Sequence, residues 1–175
     1  MGNYRRIMTL LFGCLIAGGG WLYAQRDGSA VRPIGGADIT EIHQLYSRYN
    51  QGFDFRDVEL YLSAYTDDGV LTTGTGEKFA GKGRMRQYLA ASFARGEASI
   101  MHHTTSILIT PTREGANGRA YWTAMNVLAQ PPSIAGIGHY LDTFVRTGDG
   151  WRIKARTIVR GGPRPVREDS STGNR

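Results

Sequence analysis

The sequence predicts an α+β domain in which three helices lead into a curved, mostly antiparallel sheet. Three observations carry this reading. Apolar residues recur at helical spacing early in the domain and again over 81–93. From Ile100 onward the chain turns β-branched and is cut at intervals by Pro and Gly. Between the last two strands lies Thr147-Gly148-Asp149-Gly150, a strong hairpin signal.

Taken in order, Asp38 stands three residues before Glu41 and opens the first helix in the manner of a capping box. Ile39, Ile42, Leu45, Tyr46 and Tyr49 carry its apolar stripe to about Gln51, and Gly52 ends it. A second helix is predicted over 55–65, with Val58, Leu60, Tyr61 and Leu62 as its apolar surface. Thr66-Asp67-Asp68-Gly69 has the composition of a turn. A short strand follows over 70–73, and another begins near Glu77. Met85, Tyr88, Leu89 and Phe93 mark a third helix over 81–93. Four long strands are then predicted over 100–110, 119–129, 136–146 and 151–160, with a turn over 114–118 and a break at Pro131-Pro132. Helices segregated to one side of such a sheet enclose a conical pocket.

The N-terminus has its own signature. Arg5 and Arg6 precede an uncharged, mostly apolar run over 7–17, then Gly18-Gly19-Gly20 and the small residue Ala24. This is the pattern of a signal peptide over 1–24, which places the mature protein outside the cytoplasm, in the periplasm of a bacterial host. The alternative is an uncleaved membrane anchor, because 7–24 carries no charge. A spanning helix needs about 20 predominantly apolar residues, however, and three glycines in a row work against it. Residues 25–36 read as a linker, 37–160 as one domain, and 161–175 as a disordered tail of Gly, Pro and charge.

Composition removes several function classes. Cys14 is the single cysteine and lies within the signal segment, so the mature chain has no disulfide, cysteine nucleophile or thiolate metal site. The formal charge of +6 falls to +4 once Arg5 and Arg6 are gone. The remaining cations are scattered except for Lys78, Lys82, Arg84 and Arg86, too sparse for a nucleic-acid-binding stripe. No His pair has metal-ligand spacing, and His102-His103 diverge if they lie on a strand. Gly74-Thr75-Gly76-Glu77 lacks the lysine of a phosphate loop.

The chain resembles the NTF2-like superfamily, and within it the SnoaL-like branch that includes scytalone dehydratase-type enzymes. The resemblance rests on 49–57 (YNQGFDFRD), on Phe79-Ala80-Gly81-Lys82, and on Met101-His102-His103-Thr104-Thr105-Ser106. It extends to 138–146 (GHYLDTFVR) and Gly150-Trp151-Arg152-Ile153.

In dehydratase-like members a pocket Asp pairs with a strand His as general acid and base. The resemblance puts the Asp on Asp54 and the His on His102 or His103, which face opposite sides of a strand. Ser106, four residues on, favours His102. An alternating row with Thr105, Ile107 and Ile109 favours His103. Asp54 also suits an N-cap of the second helix. Dehydratase-type sites carry a tyrosine directly before the Asp, where this chain has Phe53, and another on the first strand, where it has Thr72 and Thr73. Tyr140, in phase with Asp142 and Phe144, supplies a substitute phenol. Arg156 is placed either to pair with Asp142 or to bind an anionic group. Asn126 and Tyr49 complete the candidate substrate contacts, and Tyr46, Tyr65, Trp122 and Phe144 are candidates for an aromatic lining.

The resemblance thus implies a cofactor-independent lyase acting on a small aromatic or cyclic alcohol, by dehydration or by loss of an aldehyde such as formaldehyde. A proton-shuttling isomerase is its sibling. A non-catalytic ligand-binding or assembly domain is the alternative from a different class. The family also implies a homo-oligomer, dimer or trimer.

Overall fold

The structure is a computed structural model that describes residues 31–95 and 99–162. The predicted signal segment at 1–24, the first half of the linker (25–30), and the tail beyond 162 lie outside the described residues. Among those described, no helix is long and apolar enough to cross a membrane.

The element order is α1 (Gly36–Asp54), α2 (Val58–Ser63), β1 (Tyr65–Thr72), β2 (Lys78–Ala80), α3 (Gly81–Ala94), β3 (Ile100–Pro111), β4 (Gly115–Asn126), β5 (Ser133–Thr147) and β6 (Gly150–Arg160). One six-stranded sheet runs β2-β1-β6-β5-β4-β3. Every neighbouring pair is antiparallel except β1 with β6. The α+β class predicted by the sequence is the one observed.

Helix α1 buries Ile42, Leu45, Tyr46, Tyr49, Asn50 and Phe53, a stripe of i, i+3 and i+4 steps laid against the sheet. It begins earlier than the sequence suggested. Asp38 is not the first residue but lies within the first turn, where its Oδ2 accepts the Gly35 N–H at 3.1 Å. The helix also runs past Gly52, which ends nothing. A Cβ there would sit 2.6 Å from Tyr61 Cα, so glycine is required because α2 crosses at this point. Helix α2 is shorter than predicted and is capped by Asp57, whose Oδ1 accepts the Leu60 N–H at 2.9 Å. Asp54 is thereby released from the capping role.

Two predicted turns are strand. Residues 66–69 lie inside β1 as an irregularity, where the register against β6 shifts between Tyr65 and Val70. Tyr65 is fully buried and paired with Ile153, which anchors the strand ahead of the bulge. Strand β4 starts at Gly115 because Ala116, Asn117 and Gly118 are paired on both flanks, to β3 and to β5. Two-sided pairing satisfies their backbone groups better than a loop would.

The core lies between the helices and one face of the sheet. Its large members are aromatic: Tyr46, Tyr61, Tyr65, Tyr140 and Phe144 are all within 2% of full burial. Their rings meet in tilted and edge-on contacts, among them Tyr49 against Tyr61 at 4.7 Å and Tyr46 against Phe144 at 5.9 Å. Such pairs add to the stabilisation given by area burial alone.

Candidate active site

Asp54 is the last residue of α1, and its carboxylate reaches β3 at two points. Oδ1 lies 2.6 Å from the His102 ring Nδ1, and Oδ2 accepts the His102 backbone N–H at 2.9 Å. A carboxylate at a helix C-terminus faces the negative end of the helix dipole, so helix stability does not account for its position. The two contacts to His102 do. With Asp54 accepting at Nδ1, the neutral imidazole carries its proton there and presents Nε2 as the basic nitrogen. Among the described residues, Nε2 has no hydrogen-bond partner. The side chains are 18% and 13% exposed, sheltered yet reachable by a small molecule.

The sheet brings the ring to that position through alternation. His102 and Thr104 face the helices and His103 faces out. Ile107 and Ile109 share the inward face with His102, although odd–even counting puts them with His103. The reason is a β-bulge. Ser106 has φ 52°, and the register with β4 shifts between Thr105 and Leu108, which resets the phase. His103 is therefore exposed and outside the site.

A cavity of about 250 Å³ lies beside this pair. Its wall includes His102, Tyr49, Phe53, Tyr88, Trp122 and Tyr140, with Ala124, Gly136 and Ile158 filling between them. Phe53 sets its edge against the His102 ring at 5.3 Å. Trp122 stacks on Tyr140 at 6.1 Å and lies flat on Gly138, where a Cβ would come within 2.8 Å of the indole. Burial raises the pKa of the Tyr49 phenol, and raises that of Tyr140 well above the ordinary value of 10.0. Both are thus neutral hydrogen-bond donors across the physiological range.

Arg156 departs from the role of substrate contact. It is fully buried and forms a two-point ion pair with Asp142, Nε to Oδ1 at 2.7 Å and Nη2 to Oδ2 at 2.8 Å. Its guanidinium also lies 4.2 Å from the ring centroids of Tyr49 and Tyr140, and 4.7 Å from Tyr46. Burial works against this charge, but the Asp142 carboxylate outweighs it and holds the guanidinium pKa well above its usual value. The cross-strand pairing of Asp142 with Arg156 leaves the cation behind the cavity wall, not in it. Asn126 also departs. Its Oδ1 accepts the backbone N–H groups of Leu128 and Ala129, so the side chain is used up in the turn after β4.

One supporting residue escaped the sequence reading. Asn50, 9% exposed, donates through Nδ2 to Thr104 Oγ1 at 3.0 Å and reaches the His102 carbonyl at 3.5 Å. It stitches α1 to β3 one helical turn before Asp54. A polar residue in the middle of the Tyr46–Tyr49–Phe53 stripe was the available signal. Among the described residues, no group of three or more His, Cys, Asp and Glu side chains is gathered as a metal cage.

A cone of helices and curved sheet, with a small aromatic cavity lined by an imidazole that a carboxylate holds from behind, defines a class of small-molecule-binding α+β domains. The chain belongs to the SnoaL-like domain family, which it matches over residues 37–157. No curated protein matches the chain. Among solved structures, a Nostoc punctiforme protein of unknown function with a cystatin-like fold is 24% identical, with a TM-score of 0.68 over 77% of this chain and 99% of that one. A Mycobacterium tuberculosis protein of unknown function is 26% identical, with a TM-score of 0.63 over 74% of this chain and 78% of that one. A proposed scytalone dehydratase from Novosphingobium aromaticivorans is 19% identical, with a TM-score of 0.62 over 72% of this chain and 85% of that one. These likenesses establish the NTF2-like, cystatin-like fold.

Proposed function

We propose that this protein is a cofactor-independent lyase that eliminates water, or a small aldehyde such as formaldehyde, from a small aromatic or cyclic alcohol. The observation that carries the reading is the Asp54 carboxylate 2.6 Å from Nδ1 of His102, the residue that lines an aromatic cavity. The similarity to a proposed scytalone dehydratase is consistent with it.

In the dehydration, His102 Nε2 removes a proton from the carbon next to the one bearing the hydroxyl. The C–H electron pair becomes the new C=C bond while the C–O bond breaks, and the imidazolium returns its proton to the leaving hydroxide as water. In the aldehyde-releasing form, His102 takes the alcohol proton, the C–C bond breaks, and the ring carbon is protonated in its place. Asp54 fixes the tautomer and stabilises the imidazolium formed part-way. In this reading Tyr49 and Tyr140, which line the cavity, donate to a substrate oxygen. An isomerisation would use the same proton path with no leaving group.

The test is a screen of the purified protein against aromatic and cyclic alcohols and diols, without added cofactor, comparing wild type with His102→Ala. Turnover that disappears in the variant supports the lyase. Tight binding without turnover, unchanged in His102→Ala, identifies the non-catalytic ligand-binding domain instead.

Two further readings accompany this one. Residues 1–24 act as an export signal, giving a periplasmic mature protein; N-terminal sequencing of the secreted chain tests it. A second copy covers the outward face of β3–β5, where Met101, Tyr121, Ile137 and Leu141 are exposed together. Sedimentation of Tyr121→Glu against wild type tests that.

A further inference from the structure

The catalytic cavity has a neighbour. A second hollow of about 410 Å³ opens between the 73–77 turn and α3, and it shares Tyr88, Ile158 and Arg160 with the first. The two differ in chemistry. The inner one is walled by aromatic rings, whereas the outer one presents Thr73, Thr75, Glu77, Gln87, Arg95 and Arg160. Among the described residues, the charged groups lining the outer hollow are the guanidinium groups of Arg95, which donates to Ser92 Oγ at 3.0 Å, and Arg160, and the carboxylate of Glu77.

Arg160 stands where the hollows meet. It is the last residue of β6, exposed, and among the described residues its guanidinium makes no hydrogen bond or ion pair. The arm is nonetheless held. It lies along Gly74, where a Cβ would come within 2.7 Å of Nε and 2.8 Å of Cγ. Glycine at 74 therefore leaves the space that the arm occupies, and an unpaired cation is kept over the junction. A planar guanidinium with all its donors available matches a carboxylate better than any neutral group.

We propose that the ligand is bipartite. Its cyclic or aromatic head sits in the inner cavity beside His102, and an anionic tail of the carboxylate class extends into the outer hollow, bound by Arg160. This rests on the reading of the inner cavity as the reaction site. It adds a substrate class: cyclic alcohols bearing an acidic side chain several bonds from the reacting carbon. Arg160 sets specificity and takes no part in proton transfer.

The test uses the full chain and 4-phenylbutyrate, with neutral 4-phenylbutyramide as its isostere, in titration calorimetry. Wild type should bind the acid about tenfold more tightly than the amide, as expected for a charge-assisted contact. Arg160→Gln should bind the two equally, and Arg152→Gln, which alters a cation outside both hollows, should keep the preference. Equal binding of acid and amide by wild type, or a preference that survives Arg160→Gln, overturns the proposal. The outcome separates from the fate of the lyase reading. If His102→Ala retains turnover while Arg160→Gln loses the acid preference, the acid–base pair falls and the anion arm stands. The reverse pattern removes the arm alone. On any responding acidic substrate, Arg160→Gln should raise KM about tenfold with kcat unchanged.

Discussion

Asp54 holds His102 by ring and backbone at once, one carboxylate oxygen at 2.6 Å from Nδ1 and the other at 2.9 Å from the amide nitrogen. The ring cannot turn without giving up a contact, and the strand cannot slide without giving up the other. Orientation of the imidazole is therefore built into the junction of α1 with β3. Asp54→Asn keeps an acceptor for the amide but loses the charge that favours the imidazolium. It should lower kcat by about 10²–10⁴-fold while far-UV circular dichroism and the melting temperature stay near wild type. Normal turnover in a folded Asp54→Asn protein would refute the pair.

His103 provides the internal control. It is exposed on the opposite face of β3, so His103→Ala should leave kcat and KM within about twofold of wild type, and stability within about 0.5 kcal/mol. Loss of activity in this variant, with His102→Ala active, would reverse the assignment of the two histidines.

The Asp142–Arg156 pair has a structural role, and a large one. Both side chains are fully buried, so Asp142→Ala leaves a guanidinium uncompensated among tyrosine rings. Breaking a buried pair in this way costs about 3–5 kcal/mol, measurable by urea denaturation. Arg156→Lys should not rescue it, because an ammonium reproduces neither the two-point contact nor the stacking on Tyr49 and Tyr140.

Burial holds the phenols of Tyr61, Tyr65 and Tyr140 well above the ordinary pKa of 10.0, and raises that of Tyr46 as well. The unfolded chain releases these protons near pH 10.0 and the folded chain retains them. Stability is accordingly intact below pH 10.0 and falls as the pH rises above it, each phenol steepening the fall by about 1.4 kcal/mol per pH unit. Absorbance at 295 nm should show these tyrosines ionising in one step together with loss of near-UV circular dichroism. Gradual ionisation of a folded protein would count against the buried cluster.

Asp38 produces the opposite dependence at low pH. Its carboxylate accepts the Trp151 indole N–H at 2.9 Å and the Gly35 N–H at 3.1 Å, and pairs with Arg146 at 2.7 Å. The indole hydrogen bond, then the Gly35 amide, hold its pKa below the ordinary 3.8. Its stabilisation is complete above pH 3.8 and is lost as the pH falls below that value towards its lowered pKa. Melting temperatures of wild type and Asp38→Asn between pH 5 and pH 3 should converge as the acid is added.

Much of this was legible along the chain, because the signals were local. The hairpin at 147–150, the stripe of α1 and the order of elements depend on neighbours within a few residues, and they appear where the sequence put them. The candidate pair of Asp54 with a strand histidine came from motif resemblance over nearly the whole domain. What misled were residues whose local meaning is changed by a distant partner. Gly52 has the look of a helix end and is instead the point where Tyr61 crosses. Residues 66–69 have the composition of a turn and are carried through as a bulge beside β6.

The sequence by itself determined the fold class, the family, and a short set of chemically capable side chains. Only the tertiary structure decided between His102 and His103, since the bulge at Ser106 inverts the alternation that counting relies on. It likewise decided that Arg156 stands behind the cavity wall with Asp142, while Arg160, at its mouth, has no partner among the described residues. Burial and pairing belong to surfaces formed by strands far apart in sequence, and a one-dimensional pattern carries no record of which surfaces meet.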